Sequence, residues 1–192
     1  MPALIKNSAF PKVGQYPGAP MRHHPSGISE QRHPVRSHMQ PEKMNATNLG
    51  ERHVIDAIKQ HYCRVSLIHG SESWPADVSR ALAFLNGHLF EFGLSVHQLR
   101  GQCRIHQNNF SMKFRFFTGT SPSEYLRNHR IGCSVTIMEG LNEPVSVTWL
   151  AYEVGYEHPS TFCMAFKKVT GLTPQKYKAE LKKNKNSFVK TR

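Results

Sequence analysis

Two segments of the sequence carry hydrogen-bonding side chains around phenylalanines that lie four residues apart, Phe110 with Phe114 and Phe162 with Phe166. Four residues make about one helical turn, so each pair predicts the buried face of a helix and leaves the opposite face exposed. The first exposed face carries Gln107, Asn108, Ser111, Met112 and Arg115, with Lys113 beside it. The second carries His158, Ser160, Thr161, Cys163, Met164 and Lys167, with Lys168 beside it. Such faces can bind a polar, anionic partner through hydrogen bonds and charge.

The sequence offers little for catalysis or for a metal. It contains no Gly-rich phosphate loop and no GxSxG or HExxH motif. The cysteines at 63, 103, 133 and 163 lack the close pairs of a structural zinc site, so we expect reduced thiols. Histidines at 23, 24, 33 and 38 could join Cys63 around a metal, but no ligand spacing supports a metal hydrolase. We predict no enzymatic activity, no cofactor and no metal.

The charge balance points to the class of partner. Lys and Arg together number 25 and Asp and Glu 13, which gives a formal net charge of +12 over 192 residues. This excess favours nucleic acid or an anionic membrane surface. No stretch approaches the roughly 18 consecutive apolar residues of a membrane span. The N-terminus also lacks the apolar run of a secretory signal, so we expect a cytoplasmic protein.

The chain divides into two unlike parts. Residues 1–75 are rich in proline and histidine, and we expect about 1–45 to be disordered because little apolar surface is available for burial. One helix is predicted near 49–66, where apolar residues recur at helical spacing, namely Val54, Ile55, Ile58, Tyr62 and Val65. Residues 76–182 show helical signals almost throughout, and residues 183–192 form a basic tail.

The second part repeats one plan. Leu99 to Gly119 spans 20 residues and Leu150 to Gly171 spans 21, and each glycine is followed by one residue, then Ser or Thr, then Pro. A short helix, a tight turn and a second helix make a helix-turn-helix. We predict such units at about 95–117 and 147–170, joined by a linker helix at about 122–139. The predicted fold class is all-α: two helix-turn-helix subdomains and a long linker helix, after a largely disordered N-terminal segment.

Residues 150–174 closely resemble the signature of AraC/XylS-type transcription regulators. The matching residues are Leu150-Ala151, Gly155-Tyr156, Ser160-x-Phe162, Phe166-Lys167, Gly171 and Thr173-Pro174. The first unit matches less completely, through Phe114-Arg115, Gly119, Pro122, Tyr125, Leu126 and Arg130. The resemblance covers roughly 78–182 and implies a DNA-binding domain with two helix-turn-helix units. Many family members also carry an effector-binding domain, for which we expect no room here.

Three departures from the family pattern concern the first unit. Arg100 stands where a small residue is usual, and its stem is expected to turn outward. Arg104 stands where glycine is common in the turn, and a left-handed backbone there would cost about 1–2 kcal/mol. Met112, like Met164 in the second unit, stands where arginine is frequent. The first unit is therefore expected to discriminate less between DNA sequences.

The resemblance also implies roles for the exposed residues. Recognition helices enter the major groove, where Gln107 and Asn108 suit adenine edges and Met112 suits a thymine methyl. Lys113 and Lys168 are expected to contact phosphates, and His158 to cap the helix or lie near a phosphate. Two units on a stiff linker would meet successive major-groove faces about 34 Å apart, so a monomer could cover an asymmetric site.

Two functions remain open at this point. The first is a regulator of transcription that binds double-stranded DNA sequence-specifically. It would be an activator, the commoner role in this family, and would act beside RNA polymerase on the nucleoid. The alternative is an interaction module with weak or nonspecific DNA binding that depends on a partner bound at residues 1–75. Sequence-selective DNA binding would separate them.

Overall fold

The computed structural model describes residues 49–106, 108–141 and 145–189, and within those ranges the chain is helical without strands. This confirms the all-α prediction. The helices are α1 Leu49–Ser66, α2 Ala76–Gly87, α3 Val96–Gln102, α4 Phe110–Thr118, α5 Pro122–Gly140, α6 Val147–Glu153, α7 Pro159–Thr170 and α8 Pro174–Val189. None of these helices is long and apolar enough to cross a membrane.

The long helix α5 is the centre of the packing. It begins at Pro122, where Ser121 accepts a hydrogen bond from the Glu124 backbone and Glu124 accepts one from the Ser121 backbone. The Ser121 backbone and hydroxyl both donate hydrogen bonds to the Glu124 carboxylate, and these bonds hold the pKa of that carboxyl below its usual range. The reciprocal cap satisfies two backbone donors that a helix start would otherwise leave unpaired. Along its length α5 contacts α1, α4 and α7, so one helix carries both units.

Helix α1 packs against α5. It occupies the segment in which the sequence predicts a helix. Tyr62 is buried and its hydroxyl lies 3.1 Å from Nδ1 of His129. A Cβ placed on Gly132 would overlap the Tyr62 hydroxyl, so this glycine permits the close approach of the two helices. Val54 and Val65, which the spacing assigns to the apolar stripe, are 47% and 64% exposed. The buried stripe of α1 is therefore narrower than its sequence predicts.

Some predictions fall outside the described residues. These are the disorder of about residues 1–45, the base contact of Gln107, and Lys190 and Arg192 of the basic tail. Within the described ranges the cysteines are free, and no group of three metal-ligating side chains comes together.

Candidate nucleic-acid interface

The two units form the same turn between their helices. In the first unit, between α3 and α4, the Ile105 backbone donates a 2.9 Å hydrogen bond to the Arg100 carbonyl. In the second, between α6 and α7, Tyr156 donates one of the same length to the Ala151 carbonyl. Leu99 and Leu150, at matching positions in α3 and α6, are both fully buried. The repeated sequence pattern therefore produces a repeated backbone.

The residue at the centre of each turn has a left-handed backbone. It is Gly155 with φ 85° in the second unit and Arg104 with φ 51° in the first. Arg104 is the single non-glycine residue with positive φ in the described part of the chain, as the departure from the family pattern predicts. A Cβ on Gly155 would lie 2.8 Å from the Glu91 carbonyl oxygen and 2.9 Å from that of Phe90. The second turn therefore excludes any side chain, whereas the first tolerates one at a backbone cost.

The second helices of the two units also end alike. Gly119 and Gly171 follow α4 and α7 with the same φ of 81° and ψ of −15°. One residue earlier, the hydroxyls of Thr118 and Thr170 donate 2.9 Å hydrogen bonds to the carbonyls of the buried phenylalanines Phe114 and Phe166. This arrangement satisfies carbonyl groups that a helix end leaves without partners.

The starts of these helices differ. Helix α7 begins at Pro159, three residues before the buried Phe162, whereas α4 begins at the buried Phe110 itself. Asn108 therefore lies in a turn ahead of α4, and not on the first turn of the helix. Asn109 occupies the N-cap position without a capping hydrogen bond from its side chain. The second unit thus presents nearly one more turn of regular helix than the first.

Most of the predicted contact residues lie on the outer surface. In the first unit Asn108, Ser111, Met112 and Arg115 are exposed. In the second unit His158, Ser160, Thr161, Met164 and Lys167 are exposed, as is Lys168. Cys163 is only half-exposed and packs against the core, which leaves less of its side chain available for a partner. The phenylalanine spacing thus orients both helices as it predicts.

The cations of α4 face carboxylates of the protein itself. Nζ of Lys113 lies 2.8 and 2.9 Å from the two carboxylate oxygens of Asp77 on α2. Burial disfavours the charged form of Asp77, but the Lys113 hydrogen bonds and charge prevail and hold its pKa below the usual range. Arg115 lies 3.8 Å from Glu124 of the α5 cap. The charge of Lys113, predicted to contact phosphate, is therefore already compensated within the fold.

The cations of α7 are different. Lys167 and Lys168 are exposed, and neither forms an ion pair with any other described residue. In the duplicated pattern Lys168 corresponds to Phe116 of α4, whose side chain is 83% exposed. The outer face of α7 therefore carries two lysines without ion pairs, whereas that of α4 carries one exposed cation, Arg115, and an exposed aromatic ring.

Arg130 of α5 connects the two units and was not among the predicted site residues. Its side chain is buried, and it donates hydrogen bonds of 2.8 Å to the Leu89 carbonyl and 2.7 Å to the Glu91 carbonyl, just before the first unit. Its guanidinium also lies 5.6 Å from the ring centre of Tyr156 in the second turn. Burial lowers the pKa of this guanidinium, but its hydrogen bonds are those of a charged donor. The only sequence signal for Arg130 is its match to the family pattern.

Comparison with known proteins gives one family match and several relatives. The family model described as a helix-turn-helix domain matches residues 102–180. The uncharacterized HTH-type transcriptional regulator YobQ of Bacillus subtilis is 29% identical over 105 residues, which cover 55% of this chain and 42% of that protein. A protein of Streptomyces antibioticus, named as an AraC-like transcription regulator, is 28% identical over 104 residues, which cover 53% of this chain and 32% of that protein. The chain spans less than half the length of these curated relatives.

A solved structure has the same arrangement of helices. It is the C-terminal domain of AraT, a response regulator from Geobacillus stearothermophilus, and it is 21% identical to this chain with a TM-score of 0.50. The match covers 57% of this chain and 88% of that domain. At this identity the likeness supports the fold of the two units alone.

Proposed function

We propose that this chain is a transcription regulator of the AraC/XylS type and that it binds DNA sequence-specifically with α4 and α7 in successive major-groove faces. The match of residues 102–180 to the helix-turn-helix family model and the likeness to an AraC-like regulator support this proposal. The observation that carries this proposal is the duplication itself: two turns with the same hydrogen bond lead to two helices with matching buried and exposed faces. A helix presented in this way fits the major groove of B-form DNA. We assign the DNA-binding domain to residues 76–182.

Helix α7 is the principal reader in this proposal. Ser160, Thr161 and Met164 are exposed on its first half, the part of a recognition helix that leads into the groove. Lys167 and Lys168 follow, without carboxylate partners in the described structure, and can neutralise phosphates. His158 stands at the N-cap without a capping bond from its side chain, which leaves its ring available to a phosphate.

Helix α4 is the weaker reader. It can contact bases with Ser111, Met112 and Arg115, and Asn108 reaches the DNA from the preceding turn. Its charge contributes less than that of α7 because Lys113 is held by Asp77. Release of Lys113 for a phosphate would leave the Asp77 carboxylate without its ion-pair partner, which lowers the net gain from such a contact.

We further propose that the protein acts as an activator, placing a surface beside RNA polymerase, and that one copy occupies an asymmetric site. The support for a monomer is that one chain already holds two duplicated units on a single capped helix, α5. Such a protein would reside on the nucleoid.

The alternative function is a partner-dependent module that binds DNA weakly. The ion pair between Lys113 and Asp77 and the exposed apolar side chain of Phe116 favour it, because a protein partner would use an apolar, charge-compensated face. In that case α7 would still bind DNA through its lysines, but without selecting a sequence.

Selection from a pool of random duplexes tests the proposal, with affinity measured against salt for the selected and for random DNA. We expect a motif with two half-sites about 10 base pairs apart. A motif with one half-site would indicate that only α7 selects bases. No enriched sequence, with steeply salt-dependent binding to all duplexes, would contradict the proposal and favour the partner-dependent module.

A matched pair of double variants sharpens the selection experiment. Lys167→Ala with Lys168→Ala removes two exposed cations from α7, and Lys182→Ala with Lys183→Ala removes two exposed cations from α8. The net charge changes equally in both proteins. A larger loss of affinity in the α7 variant therefore locates the interface, whereas equal losses would indicate attraction by net charge alone.

A further inference from the structure

The outer face of α4 exposes an apolar pair where α7 exposes a cation. Met112 and Phe116 are four residues apart, so their side chains are neighbours along one line of the helix. They are 74% and 83% exposed. The corresponding residues of α7 are Met164 and Lys168. At this position of the outer face the first unit therefore has an aromatic ring, Phe116, where the second unit has a charged side chain, Lys168.

The ring of Phe116 is supported by its neighbours. It packs edge-on against Phe117, with 5.1 Å between ring centres, and Phe117 packs against Trp74 at 5.8 Å. Position 169 of the second unit, which corresponds to Phe117, is a valine, so this aromatic row belongs to the first unit. Phe116 therefore continues a row of rings that begins at Trp74, although most of its own side chain is exposed.

Both cations beside the pair have a carboxylate nearby. Lys113 is bound to Asp77 on one side, and Arg115 lies near Glu124 on the other. A face of this kind gains little from phosphates and gains most from an apolar surface. The apolar feature that the major groove offers is the C5-methyl group of thymine, and aromatic side chains are among those that contact it.

We propose that Phe116, together with Met112, contacts thymine methyl groups and makes the first unit select thymine by apolar contact. This inference rests on the proposed function, because it requires α4 to lie in the major groove. The two units then read DNA by different chemistry: α7 by hydrogen bonds and charge, and α4 by burial of methyl groups.

The test replaces each thymine of the selected duplex in turn by deoxyuridine, which removes only the methyl group. We expect one or two of these replacements to weaken binding of the unaltered protein by about three- to fivefold, the value for one buried methyl group. In Phe116→Ala the penalty should disappear at the thymine that Phe116 contacts and remain at any thymine that Met112 alone contacts. This variant should bind the thymine duplex at least as weakly as the unaltered protein binds the duplex with deoxyuridine at that position.

Two further variants serve as controls. Phe92→Ala removes an aromatic side chain that is 61% exposed but lies in the loop before α3, and it should leave every deoxyuridine penalty unchanged. Phe116→Lys copies the residue of the second unit. It should lose the sensitivity to methyl groups, bind random DNA more tightly and steepen the salt dependence by about one charge.

The outcomes separate this inference from the proposed function. An enriched sequence without thymine, or one whose deoxyuridine penalties are the same in Phe116→Ala, overturns the role of Phe116 and leaves sequence-specific binding intact. Unchanged DNA binding by Phe116→Ala with loss of transcription activation would assign the face to a protein partner and also overturn it. If no sequence is enriched, the proposed function fails first. Because Phe116 is exposed, thermal unfolding of its variants should match that of the unaltered protein.

Discussion

The first and second units share a backbone but differ in what their outer helices present. Each has the same hydrogen bond across its turn, the same buried phenylalanine pair and the same left-handed glycine at its end. Yet α7 exposes Lys167 and Lys168, whereas α4 exposes Phe116 and pairs Lys113 with Asp77. The buried half of the duplicated pattern is maintained and the exposed half has changed.

The difference shows which positions constrain the fold and which are available to a ligand. A change at a buried position leaves a cavity or an overlap, which costs several kcal/mol in a close-packed interior (about 2–5 for loss of a large side chain). A change on the outer face costs about 0.5 kcal/mol or less. The outer face can therefore change its chemistry from cationic to apolar while the scaffold that presents it stays the same.

The largest effect on stability is expected from a substitution in the second turn. Gly155→Ala should lower the free energy of unfolding by about 2–5 kcal/mol, because its backbone is left-handed and a Cβ would overlap two carbonyl oxygens. Urea denaturation measures the change. Gly101→Ala is the control, since a Cβ there meets nothing within 4 Å. Equal stability of the two variants would mean that the second turn is no more restricted than an ordinary helical position.

The lysines of the two outer helices give the next largest effect. The Lys167→Ala, Lys168→Ala double variant should bind DNA about 100-fold more weakly, at about tenfold for each charged contact, and its salt slope should fall by about two. Lys113→Ala should change affinity less than about twofold, since Asp77 already compensates that charge, and should cost up to about 1 kcal/mol of stability. Titration of a labelled duplex at several salt concentrations measures both. A comparable loss in Lys113→Ala would show that the ion pair opens on DNA.

A half-buried histidine distinguishes the first unit from the second. His129 of α5 occupies the position that Leu181 of α8 occupies in the repeat, and burial lowers its pKa from 6.5 to about 4. Between these values the unfolded chain binds a proton that the folded chain does not. The free energy of unfolding should therefore be fully retained above pH 6.5 and fall by on the order of 2 kcal/mol as the pH drops towards 4.

The variant His129→Leu isolates the contribution of His129 to the pH dependence, because it places in the first unit the leucine that the second unit has at the corresponding position, 181. Its stability should depend less on pH between 6.5 and 4, even though it loses the contact with the Tyr62 hydroxyl. Denaturation in urea at a series of pH values measures the slope. Carboxylates such as Asp77 and Glu124 titrate in both proteins, so an unchanged slope in the variant would assign the acid sensitivity to them.

The smallest expected effect concerns the residue at the first turn. Arg104→Gly should raise the free energy of unfolding by about 0.5–1 kcal/mol, because relief of the left-handed backbone exceeds the added entropy of the unfolded chain. Arg104→Ala is the matched control: it removes the same charge but retains the Cβ, and it should give no gain. Equal stabilisation of both would trace the effect to charge repulsion by Arg104.

The sequence predicts the helices and their outer faces well because their signals are local. The caps at Ser121 and Gly171 and the phenylalanine pairs act within about one turn, and the structure places each where its pattern indicates. The positions of Asn108 and Cys163 were less predictable. Helical spacing does not specify at which residue a helix begins, nor how far a neighbouring element covers a side chain at the edge of the exposed face.

The sequence by itself determined that the part of the chain described by the structure is helical with two similar units, because periodicity, capping and turn chemistry depend on residues a few positions apart. Only the tertiary structure decided which charges remain available. Lys113 meets Asp77 across 36 residues, and Arg130 meets the Leu89 carbonyl across 41. Such pairs form because packing brings distant helices together, and no local pattern specifies which cation will find a carboxylate and which will remain exposed to bind a phosphate.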